Sequence, residues 1–132
     1  MKKLSIFLVL FLAVFSVAAQ EKYSGKIGEF NVIAFIDMRA AEDAQQGDSV
    51  GYYFYNDRPK TKFTLKLKSY EEVITENFES FRTSYHIILN EYTPKGFNSG
   101  TFDGWTGALS SGYNGTFTNS QGKEYNFMLE EQ

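Results

Sequence analysis

The chain has 132 residues, a formal net charge of −3, 42 % hydrophobic and 17 % aromatic residues, one histidine and no cysteine. Disulfides are excluded, zinc and iron–sulfur chemistry are poorly supported, and a multi-histidine metal site or a His-based nucleophilic triad would rest on His86 alone, so no metal and no cofactor is expected. The mildly acidic balance offers no basic footprint for nucleic acid or anionic lipid.

Met1-Lys2-Lys3 is followed by a nearly unbroken apolar run from Leu4 to Val17, then by the small residues Ala18 and Ala19. A basic start, an apolar core and an A-x-A-like site predict a cleaved secretory signal peptide over residues 1–19. The run is shorter than the roughly 20 residues that span a bilayer, so no membrane span is expected after cleavage. Residues 20–132 then form a single exported domain, secreted or periplasmic. Without Lys2 and Lys3, 11 basic residues face 16 acidic ones, a balance of −5. Ten Phe and nine Tyr stay with this domain, and rings that each bury roughly 150–250 Å² supply a core without disulfides.

Along the domain the dominant period is two. Tyr23–Ile27 and Phe30–Asp37 flank Gly28-Glu29 and read as a hairpin. The second strand carries Val32, Ala34 and Ile36 on one face and Ile33 and Phe35 on the other, which suggests cover on both sides. Met38–Asp48 is read as a loop in preference to a short helix stopped by Gly47. Val50–Tyr55 is a strand, and Asn56-Asp57-Arg58-Pro59 a turn. Phe63, Leu65 and Leu67 alternate with Lys62, Thr64, Lys66 and Lys68, a half-buried strand with a lysine face to water. Tyr70, Val73, Ile74, Phe78 and Phe81 then fall at helical spacing opposite Glu71, Glu72, Thr75, Glu76, Glu79 and Arg82. With Ser69 and Glu72 placed as a capping box, the spacing predicts an amphipathic helix over Tyr70–Phe81. Ser84–Tyr92 is again a strand. Seven of the eleven glycines lie between Gly96 and Gly122, interleaved with aromatic residues, and read as short strands with tight turns. Tyr125, Phe127 and Leu129 alternate along a last strand.

About eight strands in meander order with one inserted amphipathic helix predict an antiparallel up-and-down β-barrel of lipocalin- or avidin-like architecture, with a β-sandwich as the alternative. Tyr23-Ser24-Gly25-Lys26-Ile27-Gly28, Gly51-Tyr52-Tyr53-Phe54-Tyr55, Leu89-Asn90-Glu91, Gly100-Thr101-Phe102-Asp103-Gly104 and Phe127-Met128-Leu129 together resemble a recurring small secreted β-domain of Bacteroidetes-like bacteria with no established activity. The resemblance implies an exported barrel-like domain and carries no site residues. The chain departs from that pattern where Ser69–Arg82 replaces a tight turn and where Phe117 stands in place of a frequent Trp. Ser111-Gly112-Tyr113 is distantly similar to the Ser-Gly loop of barrel-shaped bacterial lysozyme inhibitors.

The candidate ligand-binding residues are Tyr53, Tyr55, Glu91 and Trp105. Glu91 shares strand parity with Tyr85, Ile87 and Leu89, so an inward orientation aims its carboxyl at the core, where it needs a tyrosine or arginine donor; a strand-end position would let it reach solvent. Asp103 beside Trp105 is the acid with an obvious sugar-stacking neighbour, although glycoside hydrolysis uses a pair of carboxylates. Lys62, Lys66 and Lys68, with Lys60 before them, are the candidate partner-binding residues, or the guard of an exposed strand. A rigid aromatic framework without reactive side chains predicts a non-enzymatic secreted binding module for a protein, a glycan or a small apolar ligand. An inhibitor or immunity-type protein acting on an extracellular hydrolase such as lysozyme is the alternative, and a small hydrolase a distant third.

Overall fold

Eight strands and one short helix follow one another in the computed structural model, which describes residues 20–76, 80–107 and 111–132. The signal-peptide expectation for residues 1–19 lies outside them. In chain order the elements are β1 (Glu21–Ile27), β2 (Phe30–Ile36), α1 (Met38–Asp43), β3 (Ser49–Tyr55), β4 (Phe63–Glu76), β5 (Phe81–Tyr92), β6 (Asn98–Gly107), β7 (Gly112–Asn119) and β8 (Glu124–Glu131). Each strand pairs antiparallel with the next, and β8 pairs with β1, so the sheet closes. The expected barrel is the fold, and the sandwich alternative falls. Among the described residues no helix is long and apolar enough to cross a membrane.

Local chemistry explains the entry into the barrel. Ile27 pairs with Phe30 across a two-residue loop. Gly28 takes φ +59° while Glu29 stays at negative φ, the pattern of a type II′ turn, whose twist matches that of the flanking strands. Alternation then turns Val32, Ala34 and Ile36 inward, with Leu65 and Leu67 from β4, Ile87 and Leu89 from β5, Phe102 from β6, and Phe127 and Leu129 from β8. The outer face of β2 is only half covered: Phe35 stacks on Tyr52 at 5.2 Å, and Ile33 is half-buried.

The interior is filled. The void among Val32, Ala34, Tyr53, Leu65, Leu89 and Phe102 measures about 10 Å³ and is lined by apolar surface, at the lower size limit for one water molecule and without the polar partners a water needs. Rings achieve this by using space that glycine leaves. A Cβ on Gly104 would stand 2.6 Å from the Phe127 ring and 2.7 Å from the Tyr113 ring. The Tyr113 ring passes over that gap, and its hydroxyl donates to the Ile87 carbonyl at 2.8 Å, bridging β7 to β5 across β6.

The helix is not where the sequence predicts it. The segment Tyr70–Phe81 continues β4 to Glu76 and begins β5 at Phe81, and Phe78 lies outside the described residues. Tyr70 and Ile74 are four apart, a spacing that satisfies period two as well as a helical face. The β-branched run Val73-Ile74-Thr75 favours the extended choice. Cross-strand partners complete it: every residue from Ser69 to Glu76 pairs with one from Ile88 back to Phe81, and Tyr70 stacks on Tyr85 at 5.6 Å. The one helix among the described residues is α1, inside the stretch read as a loop. Asp37 caps it by accepting from the Ala40 amide at 2.9 Å, which satisfies an otherwise unpaired amide of the first turn. Ala41 is fully buried against the barrel, and Met38 packs beside it.

Candidate functional site

Because mid-barrel is solid, the two ends are separate mouths. One end gathers the β1–β2, β3–β4, β5–β6 and β7–β8 turns. The other gathers α1 and the first and last residues of the chain's described barrel.

At the turn-bearing end, β5 delivers Glu91 to the floor of an open cavity of about 200 Å³ walled by Ile27, Phe30, Tyr55, Phe117 and Tyr125, with Ser99 and Asn119 supplying polar edges. Glu91 is 4 % exposed, the one charged residue among the buried ones described. Each of its oxygens holds a hydroxyl: Tyr53 donates to Oε2, and Ser99 Oγ donates to Oε1 at 2.6 Å. Burial outweighs these two bonds and raises the carboxyl above its ordinary range, since loss of water penalises the charged form most. Tyr53 and Tyr55 are likewise raised, first by burial, and for Tyr53 next by the adjacent Glu91. Tyr53 stacks on Phe63 at 5.2 Å and meets Tyr55 edge-on at 5.7 Å. The hydroxyl that orients Glu91 is thus held by packed rings.

Three of the four predicted ligand residues therefore meet. Tyr53 and Glu91 are hydrogen-bonded, and Tyr55 forms the wall above them. The inward orientation of Glu91 holds, and the solvent-reaching one does not. Trp105 is elsewhere. Phe102 and Gly104 take the inward slots of β6, so Asp103 and Trp105 point outward. Trp105 lies flat on His86, with centroids 4.5 Å apart and planes 7° apart, and Asp103 Oδ1 is 2.5 Å from His86 Nε2. The two polar residues and the indole form a surface trio on the outer wall, outside the Glu91 cavity. Sequence reasoning missed Phe30, Ser99, Asn119, Phe117 and Tyr125 as pocket residues. Strand pairing is the signal that would have found Ser99, since Glu91 pairs with its neighbour Gly100.

The lysine stripe splits up. Lys62 Nζ lies 5.3 Å from the Tyr52 ring centre, and Lys66 Nζ 4.6 Å from that of Tyr92. Such contacts are worth about 0.5–1 kcal/mol at exposed sites, and they commit both lysines to the outer wall. Lys68 sits at the bulge between Leu67 and Ser69, out of line with the other two.

The opposite mouth is wider, about 320 Å³, and acidic. Glu21, Glu42 and Glu131 line it with a single cation, Arg39, and with Tyr23, Tyr70 and Tyr85. Glu21 raises the exposed Glu131 carboxyl by repulsion, and burial followed by Glu42 pushes Tyr70 up to about 12. Among the described residues no group of three or more His, Cys, Asp or Glu is arranged to hold a metal ion. Comparison of the chain with protein-family models, with curated proteins and with solved structures finds no match in any of the three.

Proposed function

We propose that the protein is an exported, non-enzymatic binding module that takes one ring-sized, hydroxyl-bearing group, the terminal sugar of a glycan, in the Glu91 mouth. The observation that carries this reading is the buried carboxyl of Glu91, aimed into an open aromatic-walled cavity with one hydroxyl already on each oxygen. A carboxylate has about four lone-pair positions, so capacity remains for a ligand hydroxyl. Tyr55, Tyr125 and Phe30 present apolar surfaces on which the C–H face of a sugar can lie, while Ser99 and Asn119 offer further polar contacts. A volume of about 200 Å³ is below the roughly 300–1,000 Å³ of pockets that enclose a whole small molecule. It suits one ring at the end of a longer chain. The filled mid-barrel disfavours a small apolar ligand held on the axis, as in a hollow barrel. A single carboxyl in the pocket favours binding over glycoside hydrolysis, which uses two. The leader-like start of the sequence supports export.

Titration of the protein with a panel of monosaccharides and short oligosaccharides, followed by NMR, tests the proposal. Saturable shifts at Tyr55, Ser99 and Tyr125 are expected, and they should vanish in Tyr125→Ala. If no saccharide moves these signals at about 10 mM, a concentration that detects even millimolar affinity, the glycan reading fails.

A further inference from the structure

The exposed charges divide between the two ends. Arg58, Lys60, Lys62, Lys95 and Lys123 stand in or beside the turns at the Glu91 end and outnumber the acids there, Glu29, Asp57 (3.9 Å from Arg58) and Glu124. The far end carries Glu21, Glu42, Glu72, Glu76 and Glu131, which outnumber the cations there, Lys22, Arg39, Lys68 and Arg82. Among the described residues each end also exposes two large apolar side chains: Phe30 and Phe97 at the basic end, Ile74 and Phe81 at the acidic end, all between 62 % and 72 % exposed. Most of the large exposed apolar side chains among the described residues thus sit at the two poles.

Shape distinguishes the two poles. β3 accompanies β4 only as far as Lys66, and β6 accompanies β5 only from Ser84. Residues 73–76 and 81–83 therefore form a two-stranded arm beyond the barrel wall. Ile74 pairs with Thr83 and Glu76 with Phe81, in the same parity as Tyr85, which lines the mouth. Ile74, Glu76 and Phe81 accordingly share the arm's inner face. The basic pole is a rim of short turns around a cavity.

We propose that the acidic arm docks on the basic rim of a second copy of the chain, head to tail. Like poles repel, so neither arm to arm nor rim to rim is favoured, while arm to rim opposes charges of opposite sign and buries apolar side chains from both partners. The two surfaces differ, so the contact is heterologous, and a docked pair retains one free arm and one free rim on which further copies add. Phe30 serves both the rim and the pocket wall, so a docked copy covers the pocket and assembly competes with ligand capture. The inference does not depend on what the pocket binds.

Two surface variants and their mixture test it by sedimentation equilibrium. The arm variant carries Ile74→Ser and Glu76→Lys, and the rim variant carries Lys95→Glu and Phe97→Ser. Circular dichroism checks that both keep the wild-type spectrum, which substitutions at exposed sites should preserve. The wild type should gain mass with concentration between about 10 µM and 1 mM, the range in which weak contacts register. Each variant alone should stay monomeric. An equimolar mixture should recover dimers but nothing larger, because one intact rim then meets one intact arm. A wild type that remains monomeric throughout, a variant that associates unaided, or a mixture that stays monomeric would each overturn the proposal.

Discussion

At the scale of single residues the molecule turns on Glu91. Its carboxyl is raised chiefly by burial, so the folded protein holds this proton more tightly than the unfolded chain does. The stability this group contributes is fully present below the unfolded carboxylate value near 4.5 and is lost as pH climbs through the higher folded value. Glu91→Gln removes that dependence. Denaturant unfolding of both proteins between about pH 4 and 8 should show the variant gaining on the wild type by at most roughly 1.4 kcal/mol for each pH unit in that window. A difference that stays flat with pH would contradict the burial of this group. Tyr53→Phe acts the other way. It deletes a hydroxyl that packed rings hold on Glu91 Oε2 and should cost about 1–3 kcal/mol at neutral pH, measurable in the same unfolding experiment. The sequence made half of this pair legible: parity with Ile87 and Leu89 offered Glu91 an inward position beside a solvent-reaching one, but nothing local chose between them or picked Tyr53 as the donor. Trp105 was misplaced for a definite reason. Its size suggests the interior, but Phe102 fixes the parity of β6, and the inward slot next to Trp105 belongs to Gly104.

At the scale of elements, turns and strands could be read because their signals are local, whereas the choice between strand and helix was decided by partners far along the chain. Over Tyr70–Phe81 the apolar spacing fits two periods, and only the pairing with Phe81–Ile88 selects the extended form. At α1 the reverse holds. Six residues are too few to form a stable helix alone, so the sequence reads as a loop, yet burial of Ala41 and the cap from Asp37 hold a helix across the barrel end. Asp37→Ala should therefore cost about 1 kcal/mol, a fall of a few degrees in the melting temperature. An unchanged melting temperature would mean that packing alone holds the helix. Gly104→Ala probes the opposite requirement, that space be left empty. A methyl there meets the Phe127 and Tyr113 rings at 2.6–2.7 Å, and overpacking of this kind costs typically about 1–3 kcal/mol. Hydrogen exchange should localise the loss to β6, β7 and the Tyr113 bridge to Ile87. Uniform loosening of all eight strands would show that the gap is not specific.

At the scale of the whole molecule, closing the sheet pairs every strand along the barrel wall, and among the described residues the arm of β4 and β5 extends beyond it. The acidic residues in the arm and at its base, Glu76, Glu72 and Glu71, discourage sideways strand pairing. They do so without discouraging approach by a basic surface, and the same chain carries one at its other pole. Ionic strength separates the charge contribution from the apolar one. Salt shortens the screening distance from about 10 Å at 0.1 M to about 3 Å at 1 M, which suppresses attraction between poles while leaving apolar burial intact. If charge selects the head-to-tail arrangement, the association constant of the wild type should fall about tenfold over that range of sodium chloride. Arg58→Glu, which removes one rim cation held over Tyr55 at 5.3 Å, should weaken association at low salt and make it less sensitive to added salt. An association that is indifferent to sodium chloride, or that strengthens with it, would assign the contact to Phe30, Phe97, Ile74 and Phe81 alone and remove the reason for the poles to meet in only one order.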